Sequence, residues 1–393
     1  VARLRRWTAG AGFALSLLAV VALVQPSAAA FVDPGRVQTA FASTAAEPLD
    51  FVGAEAGDDY SVGWTADGRL YAWGANGRGQ LGLGDTVDRS SPTRVHFPSG
   101  VAIASASAGI DMTIAVSTTG DVYTWGNSDV SPSGATPGLI PSLSGLGVTG
   151  VSAGGYFFLA WTSDGALYSW GNNGGGRLGR AGGGNVLTPG RVNAQGIDYD
   201  QVVGASAGRF FGTAVVAGGA GVVGWGSFYN ATTGGAFTGL PADSPVVGIN
   251  AGNAFLFAWT ADGRLYSGES TFALAQELSL SGIQVAGAAV SVPASGASSF
   301  FVWDDAKNLY AWGLNDLGQL GLGDTVDRSA PTLVTLPPGA RVEDLAEGNA
   351  HALFVGTGGT FSAAGSNSVG QLGTHDTTQR DTFSTPVLIQ RWP

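Results

Sequence analysis

A tryptophan-glycine pair recurs along this chain too regularly to be chance and too far apart to belong to one element. It stands at Trp73-Gly74, Trp125-Gly126, Trp170-Gly171, Trp225-Gly226 and Trp312-Gly313, and decayed copies end at Gly268-Glu269 and Ala364-Gly365. A landmark glycine precedes each copy: Gly57, Gly109, Gly154, Gly208, Gly252, Gly296 and Gly348. The offset from landmark to the second residue of the pair is 17 in six copies and 18 in the fourth. Length variation falls in the tails between units. A constant frame with variable tails marks a repeat architecture whose loops absorb the changes.

Each unit reads as four short strands. Tyr60 to Trp64 and Leu70 to Trp73 flank Thr65-Ala66-Asp67-Gly68, which predicts two strands joined by an Asp-Gly turn. A further strand precedes the landmark glycine, as in Val101-Ala102-Ile103 or Val246-Val247-Gly248-Ile249. The last lies in the tail after a proline, as in Pro331-Thr332-Leu333-Val334, where proline suits a strand start or an edge. Four antiparallel strands, seven times over, predict an all-β, seven-bladed β-propeller. The 64 glycines then supply turns. The 44% apolar content and 11 tryptophans argue for a packed core rather than low complexity.

These residues resemble the regulator of chromosome condensation repeat family. The resemblance rests on Trp73-Gly74-Ala75-Asn76 with Gly79-Gln80-Leu81-Gly82-Leu83-Gly84-Asp85-Thr86, and on Trp312-Gly313-Leu314-Asn315 with Gly318-Gln319-Leu320-Gly321-Leu322-Gly323-Asp324-Thr325. Gly348-Asn349-Ala350-His351 matches the family's glycine-to-histidine step. The resemblance covers about residues 51–391 and implies seven blades. The tails of blades 2, 4 and 5 lack the Gln-Leu-Gly stretch.

The amino terminus has the three parts of a secretory signal peptide: Arg3, Arg5 and Arg6, an apolar run from Ala11 to Val24, and Ala28-Ala29-Ala30 after Pro26. The run falls short of the roughly 20 residues that cross a bilayer. The expected organisation is thus a signal peptide over 1–30, a flexible lead-in over 31–50 and the propeller over 51–391, secreted and without a membrane span. With no cysteine there are no disulfides, thiolate metal sites or cysteine nucleophiles. A net charge of −11 disfavours nucleic acid as a partner.

No catalytic, cofactor or metal site is expected. Apart from Trp7 and Trp392, every tryptophan occupies one of two repeat positions, the second being Trp64, Trp161, Trp259 and Trp303. Repeat-phased tryptophan points to blade packing. The light-sensing Gly-Trp-Arg-His-Thr signature of plant photoreceptors in the family is absent. Gly204-Ala205-Ser206-Ala207-Gly208 fits the G-x-S-x-G nucleophile elbow, but it is the first strand of a repeat, with Ser105-Ala106-Ser107-Ala108-Gly109 as its counterpart. Asp85 with Asp88, and Asp324 with Asp327, could bind calcium. They could equally accept hydrogen bonds from their own loop and pair with Arg89 or Arg328, which the match to the repeat favours. His96, His351 and His375 make no metal-ligand spacing.

That leaves a binding module. The two residues after each landmark glycine share one face and vary between blades. Asp58, Asp59, Asp111, Tyr156, Arg209 and Phe210 are the candidate anchors, since aromatic residues and arginine dominate interface energetics. The three aspartates favour a basic protein partner, and a monomer is the expected form. The alternative is a cell-surface structural or carbohydrate-binding propeller. A third reading is a β-lactamase-inhibitor-like protein, a secreted precedent within the resemblance whose loop aromatics Gly154-Gly155-Tyr156-Phe157 resembles. Cleavage after Ala30 should leave Phe31 as the mature amino terminus. Intact mass of the exported protein checks this, and a retained 1–30 segment would refute it.

Overall fold

The computed structural model describes residues 50–193, 201–217, 221–226, 235–253, 255–269, 276–280, 282–291 and 298–384. The expected signal peptide, the lead-in up to residue 49 and Trp392 lie outside them. The described residues form seven four-stranded antiparallel sheets, each from four consecutive strands. Blade 1 shows the plan: β1 (Phe51–Ala56), β2 (Tyr60–Thr65), β3 (Leu70–Gly74) and β4 (Arg89–Arg94), paired in that order. The predicted Asp-Gly turn joins β2 to β3, with Gly68 at φ +78°. The only helices among the described residues are short 3-10 turns.

Two strands begin elsewhere than the sequence suggested. In blade 2, Val101 and Ala102 precede the first strand, which runs Ile103–Ala108 up to the landmark glycine. Small residues are accommodated there because the inner strand lies against its neighbours around a central channel. The outer strand of blade 6 starts at Arg328, ahead of Pro331. This strand is an edge, so proline's missing N–H leaves no ladder bond unmade, and the register shifts between Ala311 and Gly313 opposite it.

The blades lock through the tryptophan of the Trp-Gly pair. Trp125 Nε1 donates to the carbonyl of Gln80, in the tail of blade 1, at 2.8 Å. Trp225 does the same to Arg177 in the tail of blade 3, and Trp73 to Gln371 in the tail of blade 7. The last bond closes the ring. The glycine two residues beyond the acceptor makes room for the indole. A Cβ on Gly82 would lie 2.7 Å from Trp125 Nε1, and one on Gly179 would lie 2.7 Å from Trp225. The missing Gln-Leu-Gly of blade 2 therefore has a visible cost: Trp170, the next indole, is fully buried with Nε1 lacking a hydrogen-bond partner.

The same principle explains the landmark glycines. A Cβ on Gly57 would stand 2.6 Å from the carbonyl oxygen of Gly109. Gly109 meets Gly154, Gly154 meets Gly208, Gly208 meets Gly252, and Gly348 meets Gly57 in the same way. In blade 6 the sequence pointed to Gly296, which lies outside the described residues, but Ser291 takes the position: its carbonyl faces Gly252 and its N–H bonds to Ser299 as that of Gly57 bonds to Tyr60. At the glycines neighbouring blades approach backbone to backbone. The glycine column also clears the ring three residues on, which is Tyr60 in blade 1 and His351 in blade 7. His351 is buried, and that burial pushes its pKa down to about 4; its Nε2 lies 3.0 Å from Ser61 Oγ across the closing seam.

Inner strands are sheet edges whose free N–H groups need acceptors. The repeat supplies serine. Ser107 Oγ accepts from Ala153 N–H, Ser152 Oγ from Ala207 N–H and Ser206 Oγ from Ala251 N–H, each at 3.0 Å. Ser206 is therefore an interblade staple in a strand, as its sequence counterparts indicated. Trp64, Trp73, Trp125, Trp161, Trp170 and Trp225 are all among the largest fully buried side chains. Trp170→Ala should cost about 3–5 kcal/mol through lost burial and cavity formation. Leu333→Ala, at a side chain 59% exposed, should stay within about 0.5 kcal/mol. Matching denaturation midpoints for the two variants would refute this packing scheme.

Candidate recognition face

The loops between first and second strands converge at the glycine-ring end of the channel. Three of them are bonded through the backbone to a neighbouring blade. Gly155 N–H donates to the Gly208 carbonyl, Arg209 N–H to that of Gly252, and Asn349 N–H to that of Asp58. The side chains after the glycines are left to differ. Asp58, Asp59, Asp111, Tyr156, Arg209 and Phe210 are all half-buried. Ile110 and Asn253, at equivalent positions, are buried. Ala254 and Ala297 lie outside the described residues.

The structure brings the candidates together in two groups. Asp58, Asp59 and Asp111 from blades 1 and 2 lie close together, so that, beside burial, Asp59 and Asp111 raise the pKa of Asp58 and Asp111 raises that of Asp59. Burial, then Asp59, push Asp58 up to about 6, against the opposing pull of Arg209. Asp59 is raised by burial and then by Asp111; Asp111 is raised by burial, with Arg78 and Arg209 opposing. The second group is Phe210, flanked by two guanidinium groups. The Arg177 guanidinium carbon lies 5.4 Å from the ring centroid and that of Arg209 5.7 Å. Tyr156 packs beside the core of blades 2 and 3 and feels Arg177 electrostatically.

Arg209 links the groups. It reaches from blade 4 to Asp58 of blade 1, Nη1 to Oδ1, at 3.9 Å. The aspartates thus do not stand as an unanswered negative patch. The face is acidic over blades 1 and 2, cationic and aromatic over blades 3 and 4, and bridged between.

Sequence reasoning passed over Arg177. It occupies the tail position held by Gln80, Gln319 and Gln371 in blades 1, 6 and 7, so alignment of the repeats marks it as the odd member. Its backbone carbonyl keeps the structural role, accepting from Trp225, while its side chain is released to the face. The paired aspartate loops are also resolved. Asp85 Oδ2 pairs with Arg89 at 2.6 Å, and its Oδ1 accepts from Val87 N–H and Asn76 Nδ2. Asp88 Oδ1 accepts from Asn76 N–H at 2.7 Å. Asp324, Asp327, Arg328 and Asn315 repeat the arrangement, and Asp376 with Arg380 and Asn367 makes a third copy. These carboxylates hold their own loops.

Residues 67–116, 164–215 and 308–355 match the regulator of chromosome condensation (RCC1) repeat, as do 52–80 and 148–177. The chain carries RCC1 repeats. Over 366 residues this RCC1-repeat chain is 29% identical to the ultraviolet-B receptor UVR8 of Arabidopsis thaliana, covering 86% of the chain and 81% of the receptor. It is 30% identical over 345 residues to the human E3 ubiquitin-protein ligase HERC2, covering 80% of the chain and 7% of the ligase. Human WBSCR16 is similar in structure with a TM-score of 0.67 at 20% identity, over 81% of this chain and 93% of that one. Prp20p of Saccharomyces cerevisiae gives 0.65 at 18%, over 76% and 80%. Both support the RCC1-type propeller fold.

Burial raises Asp58 in the folded chain, so the native state holds that proton more tightly than the unfolded state does. Its stabilising contribution is complete below about pH 4 and lost as pH rises through about 6. Asp58→Asn should therefore gain on the parent protein as pH rises from about 4 to 7. Parallel urea titrations across that range check it; a constant difference would show that Asp58 titrates normally.

Proposed function

We propose that this chain is a secreted, non-catalytic binding module that recognises a protein through the face carrying Asp58, Asp59, Asp111, Tyr156, Arg209 and Phe210. RCC1-like propellers are a family of protein-interaction modules, generally without catalysis of their own. One observation carries the choice of face. Phe210 stands half-buried between Arg177 and Arg209, on loops whose backbones are tied to neighbouring blades. A preorganised aromatic-arginine cluster is what an interface hot spot needs, because little entropy remains to be lost on binding. Secretion is inferred from the amino-terminal pattern alone.

The mixed face selects a partner of mixed charge. An acidic group would meet Arg177 and Arg209, and a basic group would meet Asp59 and Asp111. This refines the purely basic partner that the aspartates alone suggested. Catalysis by Ser206 is disfavoured because its Oγ is engaged by Ala251 N–H.

The test is capture from culture supernatant and cell envelope with the mature protein, followed by affinity measurement. Tyr156→Ala with Phe210→Ala should weaken any captured partner at least about tenfold, or roughly 1.4 kcal/mol. Unchanged affinity with the propeller intact would place recognition on the opposite face or on the variable tails.

A further inference from the structure

The inner strands enclose a cavity of about 380 Å³. Beyond it, at the glycine ring, the channel narrows to a hollow of about 30 Å³. The rim of the wider cup, on the face away from the glycine ring, includes Asp305, Lys307 and Glu343. Ser107, Ser152 and Ser206 line one side, and their hydroxyls are already engaged as interblade staples. The other side differs.

Three carboxylates line it at the junction of blades 7 and 1: Glu55, Asp344 and Glu347. Each replaces a small or neutral residue of the repeat. Where blade 7 has Asp344, the others have Gly53, Ser105, Gly150, Gly204, Gly248 and Gly287. Glu347 replaces alanine or valine, and Glu55 stands where serine, asparagine or alanine serves. The fold does not need these acids, since the other blades close without them. They are costly, because a buried carboxylate without compensation destabilises. Asp344 is only 5% exposed. Its Oδ1 accepts from Leu345 N–H, but its Oδ2 is buried with no hydrogen-bond partner, and so is Glu347 Oε2. Burial raises all three carboxyls, Asp344 to about 7.

Two observations narrow the class of ligand. No three acidic or histidine side chains among the described residues converge as a metal ion requires. Trp161, Trp259 and Trp303 also border the cup, and indoles favour organic cations. Among the described residues, the sole cation in the lining, Lys307, is held at the rim by Glu343 at 3.1 Å, which leaves the inner carboxylates unanswered.

We propose that the central cup is a binding site for a small aliphatic diamine, one ammonium group held by Asp344 and Glu55 and the other by Glu347, with its hydrocarbon chain lying in the cup that the tryptophans border. Proton loss from these carboxyls then accompanies binding, with Asp305, Glu343 and Lys307 as the other charged groups facing the cup.

Titration calorimetry of the full chain near pH 7 with 1,5-diaminopentane tests it, with 1,5-pentanediol as the uncharged control. Saturable diamine binding, a heat that varies with the buffer's ionisation enthalpy, and no diol binding are expected. Glu347→Gln and Asp344→Asn should each weaken the diamine at least tenfold, whereas Asp129→Asn, in an exposed turn outside the lining, should leave it unchanged. Should Asp344→Asn fail to fold, the affinity of Glu347→Gln decides the matter. No saturable binding at millimolar diamine, equal binding of the diol, or undiminished affinity in Glu347→Gln would each overturn the proposal. None of these outcomes bears on recognition at the other face.

Discussion

The indole N–H of one blade reaching the tail carbonyl of the preceding blade fixes three of the described blade junctions, including the one that closes the ring. It couples three sequence features that look independent: the tryptophan of Trp-Gly, the residue that offers the carbonyl, and the glycine two positions on. Because the bond uses a backbone oxygen, the side chain at the acceptor position is free to change. Gln80 and Gln371 sit there in blades 1 and 7, Arg177 in blade 3, and the bond survives all three. The side chain there can therefore vary without loosening the blade contact, as Arg177 does in reaching Phe210.

Where the coupling decays, the packing compensates in kind. Ala364 replaces the tryptophan in blade 7, and Phe383 from the outer strand moves into the space, so a Cβ on Gly321 would lie 2.5 Å from it. Trp312 follows the degenerate tail of blade 5 and stacks on Phe300, centroids 5.5 Å apart at 23°. Trp170 has the apolar part of the solution, tilted against Phe158 at 5.3 Å, without the polar part. Conserved volume with a lost hydrogen bond is tolerable because burial of so large a side chain outweighs one unmade bond.

The blade plan was legible in the sequence because it is written seven times. Strand, turn and landmark recur at fixed offsets, so one blade checks another. Interblade distances were not legible. The glycine facing the second tryptophan position shows why. Gly53 and Trp64, Gly150 and Trp161, Gly248 and Trp259, Gly287 and Trp303 pair across strands, and a Cβ on any of these glycines would collide with the indole. Blades 2 and 7 carry Ser105 opposite Val116 and Asp344 opposite Val355. Blade 4 keeps the glycine opposite valine, Gly204 with Val215, so every indole has a glycine partner but not the reverse, and the bulge that sets the register hides the pairing in the letters. The candidate face was assembled residue by residue from the repeat, yet the Asp58–Arg209 contact joins blades 1 and 4. Only closure of the ring puts them within reach.

Among the described residues each blade is built from its own four consecutive strands. The seam between blades 7 and 1 is held mainly by side chains, Phe51 and Trp73 against Phe361, Ser61 with His351 and the Trp73 indole on Gln371, with scattered backbone bonds from Asn349 N–H to Asp58 and from His375 N–H to Ser90. Mechanically this is a split washer rather than a welded hoop. Tension applied at the two ends of the chain loads that one joint directly, while the other six share the load only through continuous backbone. The washer opens by parting aromatic contacts without tearing a ladder of strand hydrogen bonds, and every blade can keep its internal pairing while it does so. The acidic lining of the cup lies on the same seam, which makes the site that departs most from the repeat also the one that can yield without unfolding a blade.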